Sequence, residues 1–144
     1  HARAEEMGAA VHFSQQSAEA TDFPDGYFDL IVSHILLHET SRKAVPNILR
    51  ESHRLLRRGG QMIHAEVPAF FKYNKDPFDQ IALDWEAHYN AEPFMPRLFE
   101  MDLVDEAVAQ GFGKAKVKDA FASSGQSEAE GQIGISWYLL DAEK

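Results

Sequence analysis

The chain has 144 residues, 44% of them hydrophobic, which suits one domain with a core of its own. Fourteen lysines and arginines against twenty-three aspartates and glutamates give a formal charge of −9, which excludes the phosphate-neutralising surface of a nucleic-acid binder and favours a small-molecule substrate. The absence of cysteine excludes a disulfide framework, a thiolate–zinc site and a cysteine nucleophile and fits a reducing, cytoplasmic setting, while no apolar run is long enough for a membrane span.

In chain order, His1 to Met7 reads as the tail of a helix that Gly8 closes in a left-handed turn. The first residue is His1 rather than an initiator Met, so the chain is expected to be a piece of a longer protein. Val11 to Gln15 reads as a short strand. Ser17 to Gly26 places Thr, Asp, Pro and Gly in turn positions, and the continuous apolar run Phe28 to Leu36 reads as a central parallel strand buried on both faces. Thr40 or Ser41 can cap a helix whose face is Val45, Ile48, Leu49, Leu55 and Leu56, with Pro46 deep enough to make its first turn irregular. Gly59-Gly60 is expected to end that helix. Gln61 to Val67 is then a second strand stopped by Pro68, completing a βαβ unit.

Residues 69 to 99 hold eight of the sixteen aromatics, and this texture marks an insertion with its own helix, Pro77 to Tyr89. Met101 to Gln110 is an amphipathic helix ended by Gly111. Ala115 to Phe121 and Ile133 to Leu140 read as an antiparallel strand pair joined by the polar stretch Ser123 to Gly131.

Chemistry-bearing residues gather after the first long strand. His34 and His38 with Glu39 have the spacing of a helical metal pair, but strand geometry at His34 defeats that spacing and no third ligand is evident, so no metal is expected. His38 has three readings: substrate contact, general base, or loop histidine satisfied by its surroundings. His64 and Glu66 share one strand face; Glu66 can face a site, and His64 reads as packing. In the insertion, Tyr73, Trp85 and Tyr89 are candidates for contact with a substrate, against the alternative of a small aromatic core.

Three segments, F-P-D-G-Y-F-D-L-I-V-S (Phe23 to Ser33), R-E-S-H-R-L-L-R-R-G-G (Arg50 to Gly60) and D-L-V-D-E-A-V-A-Q-G-F (Asp102 to Phe112), occur in an order that resembles the latter half of class I S-adenosylmethionine-dependent methyltransferases. The resemblance runs from about Gly8 onward. It implies a partial α/β Rossmann-like fold over residues 1–144, lacking the first two strands, with residues 69–99 as a substrate cover. It implies S-adenosyl-L-methionine as cofactor and methyl transfer to a small-molecule acceptor.

In the family a G-D-A-E loop receives adenine, and here Gln16, Ser17, Ala18 and Glu19 stand in its place. Ser17 replaces the usual Asp with a weaker neutral contact, and Ala18 keeps its backbone N–H; the alternative for Ser17-Ala18-Glu19 is an ordinary polar turn. Ser33, His34 and Ile35 sit at the carboxyl end of the strand, where open α/β sheets bind ligands, and their backbone is expected beside the methionine part of the cofactor. Asp29 resembles a family acidic position, although turn closure is its favoured role. The glycine-rich loop and the ribose-binding acid have no counterpart, since Gly111-Phe112-Gly113 and Gly131-Gln132-Ile133-Gly134 lack the strand–turn–helix setting. The chain alone is therefore expected to be inactive. A family strand order of 3-2-1-4-5-7-6 without its first members leaves Phe28 to Leu36 as an open edge, suited to self-association. The alternative is a Rossmann-like binding module without turnover.

Overall fold

The computed structural model describes residues 2–66, 77–122 and 135–144. Helix α1 (Ala2–Glu6) is closed as expected: Gly8 adopts φ 62°, the Gly8 N–H donates to the Glu5 carbonyl at 3.0 Å and the Ala9 N–H to the Ala4 carbonyl at 2.9 Å. This pair of bonds satisfies carbonyls that a bare helix end leaves open. The strand expected at Val11 to Gln15 is absent. A strand needs a neighbour's N–H and C=O groups, and among the described residues the nearest such pairing is the isolated bridge Ser17–Ala20, so Val11 and Phe13 stay half exposed.

Four strands form one sheet in the order β1-β2-β4-β3, where β1 is Phe28–His34, β2 is Leu56–Glu66, β3 is Lys114–Ala122 and β4 is Ile135–Glu143. β1 and β2 are parallel and joined through helix α2 (Ala44–Leu55); β4 runs antiparallel to both β2 and β3. This matches the 4-5-7-6 end of the expected order. Helices α3 (Pro77–Tyr89), α4 (Met95–Phe99) and α5 (Leu103–Ala109) lie between β2 and β3 in sequence, α3 with the expected bounds and α5 shorter than the expected Met101 to Gln110. Asp102 sets the start of α5 by accepting from the Val104 and Asp105 N–H groups at 3.0 and 3.2 Å.

The helix expected to run to Gly59-Gly60 stops at Leu55. Leu56 turns extended, at ψ 137°, and enters β2 fully buried. The two glycines instead make an irregularity inside β2: the register jumps from Phe28–Leu56 to Leu30–Gln61, with Gly59 at φ 74°. A Cβ at Gly60 would stand 2.9 Å from the Arg57 carbonyl and 3.1 Å from that of Asp29, so only glycine lets the strands approach here. Pro46 is the third residue of α2, inside the first turn, where no intrahelical N–H is lost, so the expected irregularity does not arise.

One face of the sheet is covered. Met62, His64 and Glu66 of β2 and Tyr138, Leu140 and Ala142 of β4 point into a core closed by Ile48 and Leu49 of α2 and Leu103 of α5. The other face of β1 is open, which corrects the expectation of burial on both faces. Leu30 is 51% and Val32 62% exposed, because no described segment packs over them. β1 is also a sheet edge, with no strand on its outer side among the described residues.

Candidate functional site

β1 ends at His34, two residues before the expected Leu36, because Ile35 turns into the left-handed region at φ 56°. That conformation costs a β-branched residue roughly 1–2 kcal/mol. It is held by the Ile35 N–H, which donates to the Ala65 carbonyl at 2.8 Å. The chain then coils through a 3-10 turn, Leu37–Glu39, whose backbone is aimed at the end of β2. Glu66 Oε1 accepts from the Leu36 and Leu37 N–H groups at 3.2 and 2.8 Å, and Oε2 from the His38 N–H at 3.4 Å.

Glu66 is 0% and His38 2% exposed. Their side chains meet at 2.8 Å, His38 Nδ1 on Glu66 Oε2. A charge so buried is tolerable only when hydrogen-bonded, and here three N–H groups and an imidazole do so. Assigning the Nδ1 proton to the carboxylate bond leaves Nε2 as the free pole of the ring. The Glu66 hydrogen bond raises the His38 pKa above its ordinary value; burial opposes this, and the charges of Glu66, Glu92 and Glu39 add to it. Nε2 looks toward Glu39 Oε1 at 3.6 Å and Glu92 Oε2 at 3.9 Å. Glu92 Oε2 is inaccessible to solvent and has no hydrogen-bond partner among the described residues.

His34 and His38 part company, as strand geometry requires. The His34 ring crosses the open face of the sheet to lie 4.5 Å from the Trp137 ring. Ser33 points to the covered face, where its Oγ contacts His64 Nδ1. His64 is buried with no partner for Nε2 among the described residues, and burial pushes its pKa down to about 4, in keeping with a packing role. Asp29 pairs with the Arg57 guanidinium beside the β2 irregularity rather than closing a turn.

Ser17, Ala18 and Glu19 form an exposed turn. The Ser17 Oγ accepts from the Glu19 N–H at 3.3 Å, and Glu19 Oε2 accepts from Asn47 Nδ2 of α2 at 2.8 Å. Ala18 keeps a backbone N–H with no partner among the described residues. The following residues are lashed down by a pair whose role the sequence reading missed. Glu51 Oε1 accepts from the Thr21 N–H and hydroxyl at 2.8 and 2.7 Å. Arg54 donates to the carbonyls of Phe23 and Thr21 at 2.8 and 3.1 Å and to Asp25 at 2.6 Å. The visible signal was an E-x-x-R pair on one helix face opposite an acidic loop. No hydrogen bond or ion pair among the described residues joins the 17–19 turn to His38.

Trp85 and Tyr89 lie on α3 with rings 5.5 Å apart, 52% and 74% exposed, in line with exposed Phe78 and Ile81. Among the described residues they form an exposed apolar stripe. Tyr73, and the expected strand end at Val67 and Pro68, fall outside the described residues. The metal pair His34–His38 does not form, but Glu92, 54 positions beyond His38, stands where a third ligand would. A groove of about 360 Å³ lies elsewhere, at the start of β2, and its Lys114–Glu143 and Lys116–Asp141 charges are paired with each other at 3.2 and 3.6 Å.

Residues 1–64 match a family described as a methyltransferase domain. Over 93 residues, 64% of this chain, the sequence is 31% identical to the ubiquinone/menaquinone biosynthesis C-methyltransferase UbiE of Vibrio vulnificus. The chain spans about a third of that relative, 33% of its length. Among solved structures, a SAM-dependent methyltransferase from Thermotoga maritima superposes with a TM-score of 0.61 at 16% identity, covering 98% of this chain and 67% of that one. A SAM-dependent methyltransferase from Archaeoglobus fulgidus gives 0.56 at 12% identity over 91% of this chain and 66% of that one. PigF with SAH gives 0.54 at 20% identity over 89% and 33%.

Proposed function

From the match of residues 1–64 to a methyltransferase-domain family and the likeness in fold, we propose that the chain carries a class I S-adenosylmethionine-dependent methyltransferase domain and that its protein transfers the cofactor's methyl group to a small, largely apolar acceptor at the carboxyl end of β1 and β2. The observation that carries the reading is the buried His38–Glu66 pair at that end, with the imidazole Nε2 as its free pole. Methyl transfer from a sulfonium needs alignment above all, and a wall fixed by four hydrogen bonds to one carboxylate supplies it. His38 is the candidate to take a proton from an acceptor hydroxyl or amine.

The residues present suit one side of the cofactor. The unpartnered Ala18 N–H is available to an adenine ring edge, with Ser17 and Glu19 framing the turn. The left-handed passage at Ile35 brings the Ser33–Ile35 backbone to the strand end, suited to the methionine part. When bound, S-adenosylmethionine supplies the electrophilic methyl; the glycine-rich loop and ribose-binding acid of the family have no counterpart in these 144 residues. Residues 69–99 are the acceptor's cover in this reading, with Tyr73, Trp85 and Tyr89 on the substrate side. An exposed aromatic stripe suits an apolar acceptor, in line with the ubiquinone/menaquinone biosynthesis relative.

The cytoplasm is the proposed setting, supported by the lack of cysteine and by the absence, among the described residues, of a helix long and apolar enough to cross a membrane. A second reading, a binding module without turnover, is favoured by Ser17, whose oxygen already accepts within its own turn. Transfer of labelled methyl from S-adenosylmethionine to a panel of phenols, quinols and amines, measured on the chain within its full coding sequence, separates the two. The enzyme reading expects turnover that falls about a hundredfold or more in His38→Gln. Cofactor binding without transfer to any acceptor favours the module.

A further inference from the structure

We propose that His38, Glu39 and Glu92 form a binding site for a divalent transition-metal ion, of the zinc, cobalt or manganese class. The inference deepens the reading above and rests on the acceptor meeting the protein at this end of the sheet. Three observations carry it.

The first is geometric. His38 Nε2 stands 3.6 Å from Glu39 Oε1 and 3.9 Å from Glu92 Oε2, and the three ligand atoms lie within 4.8 Å of one another. Metal–ligand bonds of about 2.0–2.2 Å put two ligands of one ion about 3–4 Å apart, so closing this trio on an ion needs side-chain adjustment and no backbone change. The second is that a buried carboxylate oxygen aimed at the centre lacks a hydrogen bond among the described residues. The imidazole is 2% exposed, its Nε2 meets the two carboxylates only at 3.6 and 3.9 Å, and Glu92 Oε2 is sealed from solvent with no hydrogen-bond partner among the described residues. Such atoms are costly unless something bridges them. The third is the support behind the ring. Nδ1 is engaged by Glu66, which is itself fixed by the N–H groups of Leu36, Leu37 and His38. A carboxylate behind a histidine sets the tautomer and the aim of the other nitrogen, as metal-binding histidines require.

Three carboxylates around one imidazole also leave excess negative charge that a dication neutralises. An imidazole ligand selects transition metals over magnesium and calcium. Glu39 is half exposed, so the shell opens to solvent on its side and leaves room for an acceptor oxygen. With the ion bound, His38 is a ligand and not a base, and the ion is what lowers the acceptor's pKa.

The test uses the chain stripped with a chelator and titrated calorimetrically with Zn²⁺, Co²⁺ and Mg²⁺ salts, without cofactor or acceptor. The expected result is one Zn²⁺ per chain, a Co²⁺ visible spectrum of an N/O site, and no measurable Mg²⁺ binding. Glu92→Gln and Glu39→Gln should each weaken Zn²⁺ binding about tenfold or more, and Glu66→Gln by about ten- to a hundredfold. Glu39 is a surface residue, so its variant tests the site even if the Glu92 variant fails to fold. Absence of Zn²⁺ binding, or an affinity unchanged in Glu39→Gln, overturns the proposal. Because no cofactor is present, that failure leaves the methyl-transfer reading intact, and failure of methyl transfer leaves a measured metal site standing.

Discussion

Arg54 grips Glu51 with two nitrogens, Nε on Oε2 at 2.8 Å and Nη2 on Oε1 at 2.7 Å, and the same guanidinium reaches over the loop carrying Thr21, Phe23 and Asp25. The pair therefore works as a clamp between α2 and the loop that leads into β1. Its Arg54 bonds, with help from Thr21, hold the Glu51 carboxyl at about 2 instead of 4.5. A depressed carboxyl pKa contributes stability that is complete above the unfolded value and is lost as pH falls through the folded one. Glu51→Gln should cost about 3 kcal/mol at neutral pH, and the difference from the parent should shrink between pH 4.5 and about 2. Urea unfolding across that range measures it; an unchanged midpoint at pH 7 would show that the clamp does not hold the loop.

His64 titrates in a different window. Burial lowers its pKa from 6.5 to about 4, so the folded state resists the proton that the unfolded chain accepts, and stability present above 6.5 is lost as pH falls toward 4. His64→Asn, which keeps a polar atom near Ser33, should flatten the melting temperature between pH 6.5 and 4. A slope identical to the parent's would locate mild-acid sensitivity elsewhere.

Ala18 offers a test of the cofactor side that spares the fold, since its N–H has no partner among the described residues. In the chain within its full coding sequence, Ala18→Pro should weaken S-adenosylmethionine binding by roughly 1–3 kcal/mol with little change in melting temperature. Unaltered affinity would remove this turn from the adenine site. The chain by itself should bind the cofactor weakly or not at all, and micromolar binding by calorimetry would count against that.

The outer edge of β1 is unpaired among the described residues and its open face carries Leu30 and Val32, with no lysine or proline on the strand to discourage pairing. Light scattering on the isolated chain should show self-association, relieved by Val32→Lys. A monomeric parent chain at high concentration would sink the idea.

Much of the sheet was legible because its signals are local: the β-branched run at Ile31 and Val32, the E-x-x-R helix after it, and the alternation of β4 each specify their own element. The bounds of α3 were legible too, since Pro77 opens it in sequence. The errors fell where a neighbour decides the outcome. Val11 to Gln15 has strand composition but no ladder to join among the described residues, and Gly59-Gly60 reads as a helix stop until Asp29 is seen pressing on it. Glu66 was picked out as able to face a site, whereas it lies fully buried behind the 36–38 turn; Glu92 was not picked out, because nothing near it in sequence hints that it returns to His38.

Glu66 fastens the turn after β1 through a side chain, where the strand ladder has already ended at the Ile35–Ala65 bond. The 36–38 turn is thus one piece with the two parallel strands, and in the proposed reading accommodation to acceptors of different size falls to the exposed aromatic stripe of α3. Variation in what the protein accepts should then track changes in α3 and leave the 36–38 turn constant.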